Sequence, residues 1–165
     1  MRKHTILRGA VAMMATLIAT GAPLASWAQT PELATGAAPV TATAAVSKDV
    51  INTFRNRVTG KCLDDDGNKL KTFPCNGLDF QQWKVTVDQF GQRTLQNVHT
   101  RRCLDDSGAG LRAFTCNGLT FQKWNVIKHG NDLVLENHET KRCVDDSQVG
   151  LRSFACNNLN FQRWY

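Results

Sequence analysis

Between residues 50 and 165 the large apolar side chains come singly or in pairs between Asp, Asn and Gly, and nowhere do they keep the i, i+3, i+4, i+7 spacing of a long helix. Apolar and polar positions instead alternate over short stretches. Four extended runs stand out, around Phe54, around Leu63, around Phe73 and from Gln81 to Val87, separated by turn-forming clusters such as Asp-Asp-Asp-Gly-Asn at 64–68. The pattern then recurs twice. Aligned on cysteine, the chain reads GKCLDDDGNKLKTFPCNGLDFQQW, then RRCLDDSGAGLRAFTCNGLTFQKW, then KRCVDDSQVGLRSFACNNLNFQRW. Cysteines recur after 41 and then 40 residues, as do Trp83, Trp124 and Trp164, which sets repeats at about 51–91, 92–131 and 132–165. Three repeats of four strands predict twelve, in a closed all-β unit with threefold pseudosymmetry; three copies are too few for most propellers.

Upstream the pattern is different. Residues 1–28 carry Arg2, Lys3 and Arg8, then the apolar run GAVAMMATLIATGAPL, then the small residues Ser26 and Ala28, the order of a cleaved secretory signal peptide. Gly21 and Pro23 interrupt the run before it reaches the roughly 20 apolar residues that a membrane span needs. Residues 29–50 are rich in Ala, Thr and Pro, with few large apolar groups to bury, and read as a flexible linker. Export exposes the cysteines to an oxidising compartment, extracellular or periplasmic, where disulfides are expected. Structural zinc ligands come in pairs about two to four residues apart, whereas the cysteines of each repeat are thirteen apart; neither a metal nor another cofactor is expected.

Charge narrows the partners. Of 20 Lys plus Arg, Arg2, Lys3, Arg8 and Lys48 precede the repeats; of 14 Asp plus Glu, Glu32 and Asp49 do, leaving 16 against 12 and a net of +4 for residues 50–165. These charges are interspersed, so the one-signed stripe of a nucleic-acid binder is missing.

If Cys62 and Cys75 oppose each other on two antiparallel strands, Asp64 falls directly across from Phe73. Cys103 with Cys116 likewise sets Asp105 across from Phe114, and Cys143 with Cys156 sets Asp145 across from Phe154. Side chains two apart share a face, so each repeat would line one surface with a disulfide, an Asp and a Phe. Leu63, Leu104 and Val144 would face the core. A carboxylate beside a ring is a sugar-binding pair: the carboxylate accepts hydroxyl hydrogen bonds and the ring packs on the sugar's C–H face. An isolated Phe is more often core; its threefold pairing with an Asp that is costly to bury favours a site. Lys71, Arg112 and Arg152, four before the second Cys, could bond hydroxyls or select an acidic sugar; for Lys71 a salt bridge to Asp66 is the competing role. Asp65, Asp106 and Asp146 point to the opposite face and read as structural.

The Cys-x-Asp start, the second Cys after an aromatic and the closing Gln-x-Trp resemble ricin B-type β-trefoil lectins over about 51–165. The Leu-Asp-Asp, Phe-x-Cys-Asn-Gly and Gln-x-Trp order looks most like actinohivin-type bacterial lectins, which bind high-mannose glycans. The resemblance implies a β-trefoil with one shallow sugar pocket per repeat. Carried over by motif, Asp64, Asp105 and Asp145 bind hydroxyls, Phe73, Phe114 and Phe154 lie under the sugar, and Asn76, Asn117 and Asn157 complete the pockets. Gln81, Trp83, Gln122, Trp124, Gln162 and Trp164 are structural. Repeat three departs with Val144 and Asn158 in place of Leu and Gly. Where galactose-binding members carry Asn before the Gln, this chain has Phe80, Phe121 and Phe161, which argues against galactose.

Nearly every chemical group is present in triplicate, whereas catalysis brings together one acid, base or nucleophile. Repetition has a direct use in multivalent binding. A secreted, monomeric, non-catalytic lectin for mannose-type or acidic glycans is therefore expected. The alternative is a trefoil acting through protein contacts, as an inhibitor or a toxin adhesion subunit, with loops such as 88–93 carrying them.

Overall fold

The computed structural model describes residues 49–165; the expected signal peptide and nearly all of the expected linker lie outside the described residues. Eleven strands follow in order: β1 (Val50–Asn52), β2 (Lys61–Asp65), β3 (Leu70–Pro74), β4 (Trp83–Val87), β5 (Arg93–Asn97), β6 (Cys103–Ser107), β7 (Gly110–Phe114), β8 (Trp124–His129), β9 (Asp132–Asn137), β10 (Arg142–Ser147) and β11 (Gly150–Ala155). A single 3-10 turn precedes each Trp of the Gln-x-Trp motif, at Asp79–Gln81, Thr120–Gln122 and Asn160–Gln162. The run expected from Gln81 therefore begins as strand only at Trp83. No helix among the described residues is long and apolar enough to cross a membrane.

The strand count differs from twelve for a local reason. The first run is split into β1 and the isolated bridges Arg55↔Cys62 and Asn56↔Trp164, and the twelfth is reduced to Trp164, bridged to Asn56 and Leu133. Next to it the Tyr165 N–H and C=O both bond Arg55, at 2.9 Å each. That pair closes the ring made by β1, β4, β5, β8 and β9, while the hairpins β2–β3, β6–β7 and β10–β11 contact one another across its end.

Each repeat sends the same three side chains into one core: Phe54, Leu95 and Leu135; Leu63, Leu104 and Val144; Trp83, Trp124 and Trp164. The indoles are fully buried, which demands an acceptor for each N–H. Leu63, Leu104 and Val144 supply their carbonyls at 3.0–3.1 Å, so the Trp of each repeat is tied to the strand carrying its Asp. Val144 in place of Leu costs nothing in this bond, since only its backbone is used.

The second aspartates fasten one repeat to the next. Asp65 is wholly buried and takes Thr100 and Arg102; Asp106 takes Thr140 and Arg142, whose Nε and Nη2 lie 3.1 and 2.7 Å from the two carboxylate oxygens. At the seam between repeats three and one the Arg position holds Lys61; Asp146 accepts the hydroxyl of Thr59, the counterpart of Thr100 and Thr140, and in place of the Arg that of Thr72, at 2.9 Å. Asn56, Asn97 and Asn137 are equally buried and do similar work: each donates Nδ2 to the carbonyl of a Phe before Gln (Phe161, Phe80, Phe121) and accepts two backbone N–H groups of its own turn.

The two kinds of seam should respond differently to truncation. Arg142→Ala leaves a buried carboxylate short of its cation and is expected to cost about 2–4 kcal/mol in urea unfolding without reductant. Lys61→Ala, with no such partner, is expected to cost under about 1 kcal/mol. Equal losses would contradict the assignment.

Candidate functional site

The hairpin register differs from the expected one by two residues. Asp64 lies opposite Lys71 and Phe73 opposite Cys62; Asp105 is paired with Arg112 and Asp145 with Arg152. The expected Asp–Phe cross-strand pairs are thus corrected to Asp–Lys and Asp–Arg pairs. The disulfides Cys62–Cys75, Cys103–Cys116 and Cys143–Cys156 do form, with Cα atoms 5.0–5.1 Å apart, but each second Cys sits just past the strand end, reached diagonally after the chain leaves the ladder. A slip of two preserves which side chains share a face. Asp, cation, Phe and cystine still line one surface in every repeat.

That surface is organised by the buried Gln. Gln81 Nε2 donates to Asp64 Oδ2 at 3.0 Å and to the Pro74 carbonyl at 3.1 Å, while its Oε1 accepts the Asn76 N–H at 2.9 Å. Gln122 makes the same three bonds to Asp105, Thr115 and Asn117. Gln162 reaches Ala155 and Asn157. One amide therefore holds the carboxylate's strand, the end of the next strand and the loop that follows the second Cys. Within that loop Asn76, Asn117 and Asn157, all exposed, accept the N–H of Leu78, Leu119 and Leu159 at 3.0 Å, which engages Oδ1. Gly77 and Gly118 adopt φ 73°; Asn158 takes their place at φ 61°, a left-handed conformation Asn tolerates better than most residues.

The cations break the threefold equivalence. Arg112 Nε bonds Asp105 Oδ1 at 2.9 Å and its guanidinium lies 4.1 Å from the Phe114 ring centre; Arg152 does the same with Asp145 and Phe154, at 3.1 and 4.2 Å. In the first repeat Asp66 replaces Ser107 and Ser147. Its Oδ1 accepts the Asn68 and Lys69 N–H groups in a wider hairpin turn, and its Oδ2 draws Lys71 Nζ to 2.5 Å. Lys71 is left 4.0 Å from Asp64 Oδ1, beyond hydrogen-bond reach, and 5.1 Å from the Phe73 ring. Asp64 Oδ1 has no hydrogen-bond partner among the described residues, although the residue is only 3% exposed. Burial pushes the Asp64 carboxyl above its ordinary range, against the opposing pull of Gln81 and then Lys71. The Lys71 hydrogen bond, helped by two backbone N–H groups, holds Asp66 well below that range, and Asp66 in turn raises Lys71.

Phe73, Phe114 and Phe154 are 40–45% exposed, each with a cation beside its ring. In the first repeat a shielded carboxylate oxygen without a hydrogen bond lies behind an exposed ring; in the second and third a guanidinium beside the ring is already bonded to the equivalent carboxylate. Sequence reasoning passed over Leu78, Leu119 and Leu159, each more than half exposed and two residues beyond the pocket's Asn. The same apolar residue in all three copies of a polar turn was the available signal. Phe80, by contrast, packs against His99 with ring centres 4.2 Å apart.

Comparison with known proteins agrees with this architecture. Among curated protein sequences none matches the chain. Among solved structures, the designed threefold-symmetric protein ThreeFoil superposes with a TM-score of 0.62 at 22% identity, covering 69% of this chain and 95% of its own. The Rhizoctonia solani agglutinin gives 0.60 at 16%, covering 70% and 92%. The hemolytic lectin CEL-III gives 0.59 at 22%, over 69% of this chain but only 29% of its own length. These likenesses establish the β-trefoil fold. Residues 51–164 match the ricin-type beta-trefoil lectin domain, and the chain belongs to that family.

Proposed function

We propose that this chain is a secreted, non-catalytic glycan-binding protein that uses its three Asp/Phe/Asn pockets multivalently and, like actinohivin-type lectins, takes neutral mannose-type sugars at the first of them. The observation that carries this reading is the buried Asp64 carboxylate, whose Oδ1 is unbonded beside an exposed ring. A buried carboxylate oxygen without a hydrogen bond is costly, and a sugar hydroxyl that reached Oδ1 through a shift of the surrounding side chains would offset that cost. Family membership supports carbohydrate binding as the role. Asp65, Asp106 and Asp146 are spent between repeats, which leaves one carboxylate in the second and third pockets; in the first, Asp66 is taken up by Lys71 and two backbone N–H groups, an arrangement that does not favour the paired carboxylates of a glycosidase. Three weak sites on one rigid body gain avidity on a surface that displays many copies of the ligand.

Two experiments follow. On a glycan array the chain should be retained by at least one neutral glycan, and the triple variant Asp64→Asn, Asp105→Asn, Asp145→Asn should not; no retention at all, or equal retention by the variant, rejects the reading and leaves protein contacts through the loop at Phe90, 77% exposed, as the alternative. Asp64→Asn alone should weaken binding by the first pocket about tenfold or more, the worth of one to two hydrogen bonds, while leaving the pH 7 unfolding midpoint equal to or above that of the parent. The pH dependence has a definite sign. Because the native carboxyl is raised, the folded state holds the proton more tightly, so parent stability gains on the variant as pH falls through the raised range. Sugar binding is lost over that same range, above the ordinary Asp value of about 3.9.

A further inference from the structure

The repeats differ most where the first hairpin meets the third. A cavity of about 330 Å³ opens there, walled by Lys61, Lys69, Leu70, Lys71 and Thr72 on one side and by Gly150 and Leu151 on the other; its size is at the small end of ligand sites. The sequence departs from threefold symmetry at each cationic position. Lys69 stands where the other repeats have Gly110 and Gly150, and Lys61 where they have Arg102 and Arg142.

Both changes leave positive charge unspent. At the other seams the Arg is consumed by a buried Asp. Here Asp146 is satisfied by two threonine hydroxyls, one of them from Thr72 in the cavity wall, and among the described residues neither Lys61 nor Lys69 has a carboxylate within 4.0 Å. Lys71 is balanced by Asp66. Two exposed lysines without an ion-pair partner therefore line the cavity and give it a positive potential. Across from them nothing fills the space: a Cβ built on Gly150 would meet no atom within 4 Å. Lys71 belongs both to this wall and to the first pocket, 4.0 Å from Asp64 Oδ1.

We propose that this cavity is an oxyanion site, in which Lys61 and Lys69 hold a sulfate ester, phosphate ester or carboxylate borne by the glycan whose neutral ring occupies the neighbouring Asp64 pocket. The anion site stands on its own residues; only the identity of its carrier rests on the glycan-binding reading. The arrangement makes repeat one a two-part site, and assigns to the chain a preference for glycans that are acidic at one substituent.

The test is a titration of the full chain with sodium sulfate, sodium phosphate and sodium glucuronate at fixed ionic strength, following the backbone amides of Thr72, Gly150 and Leu151 by NMR. Saturable shifts are expected for at least one anion, and the one that binds tightest identifies the ester or acid. Lys61→Gln with Lys69→Gln should weaken that binding about tenfold or more, as loss of a charge-assisted contact implies; Lys128→Gln, outside the cavity, should leave it unchanged. Silence at all three amides with every anion, or an equal loss in Lys128→Gln, overturns the proposal. A parallel titration with methyl mannoside, read at Asp64 and Phe73, reports the neutral pocket separately, so failure of the glycan reading is distinguishable from failure of the anion site.

Discussion

A buried glutamine amide with every polar atom engaged is the interaction on which the pockets depend. Gln81, Gln122 and Gln162 sit in the 3-10 turn just before the core Trp, and each joins the strand end beyond the Phe to the Asn loop through one rigid group. Inside the protein such bonds cannot be exchanged for water at no cost, so the amide fixes the spacing between Asp and Asn more firmly than a surface loop could. The Trp that follows is anchored to the carbonyl of the core residue beside the same Asp. Site and core are thereby coupled: the residue that fills the barrel and the residue that positions the carboxylate are two apart in sequence.

The threefold plan is used in two opposite ways. Where all copies agree, in the Trp, Gln and buried Asn, the result is a common core and a common loop geometry. Where they disagree, the chemistry changes. A single acid, Asp66 against Ser107 and Ser147, diverts Lys71 and leaves Asp64 short of a partner, whereas Arg112 and Arg152 close the equivalent carboxylates. With Lys for Arg at position 61, the Arg's place on Asp146 is taken by Thr72, beside the threonine common to all three seams. Symmetry supplies stability, and its violations supply individuality.

Much of this was legible in the sequence because the repeat acts as an internal alignment. The cysteine and tryptophan spacing set the repeats, and the short alternating runs between turns set the all-β class; alternation also put Leu63, Leu104 and Val144 inside and the second aspartates on another face from the first. The register was not legible. It was inferred by placing the two cysteines directly opposite, and a cystine that closes diagonally beyond the strand end satisfies the same sequence with a shift of two. Nor could spacing show that Arg112 and Arg152 would lie against Phe114 and Phe154, because that depends on where a long side chain folds back after pairing. The buried Asn56, Asn97 and Asn137 recur at the repeat spacing, but spacing carries no hint of their cross-turn bonds, which join groups 16 to 105 residues apart.

The placement of the three cystines has a mechanical corollary. Each closes a loop within its own hairpin, and none crosses from one repeat to another or fastens β1 to the end of the chain. The ring itself is closed by reversible pairing alone, including the two Arg55–Tyr165 backbone bonds. Tension entering through residue 49 would load β1 and its pairing with β4 first, and that zipper can part without straining a covalent bond. The three cross-linked hairpins would keep their internal bonds throughout, so the domain is built to yield at its closure while its hairpins stay intact.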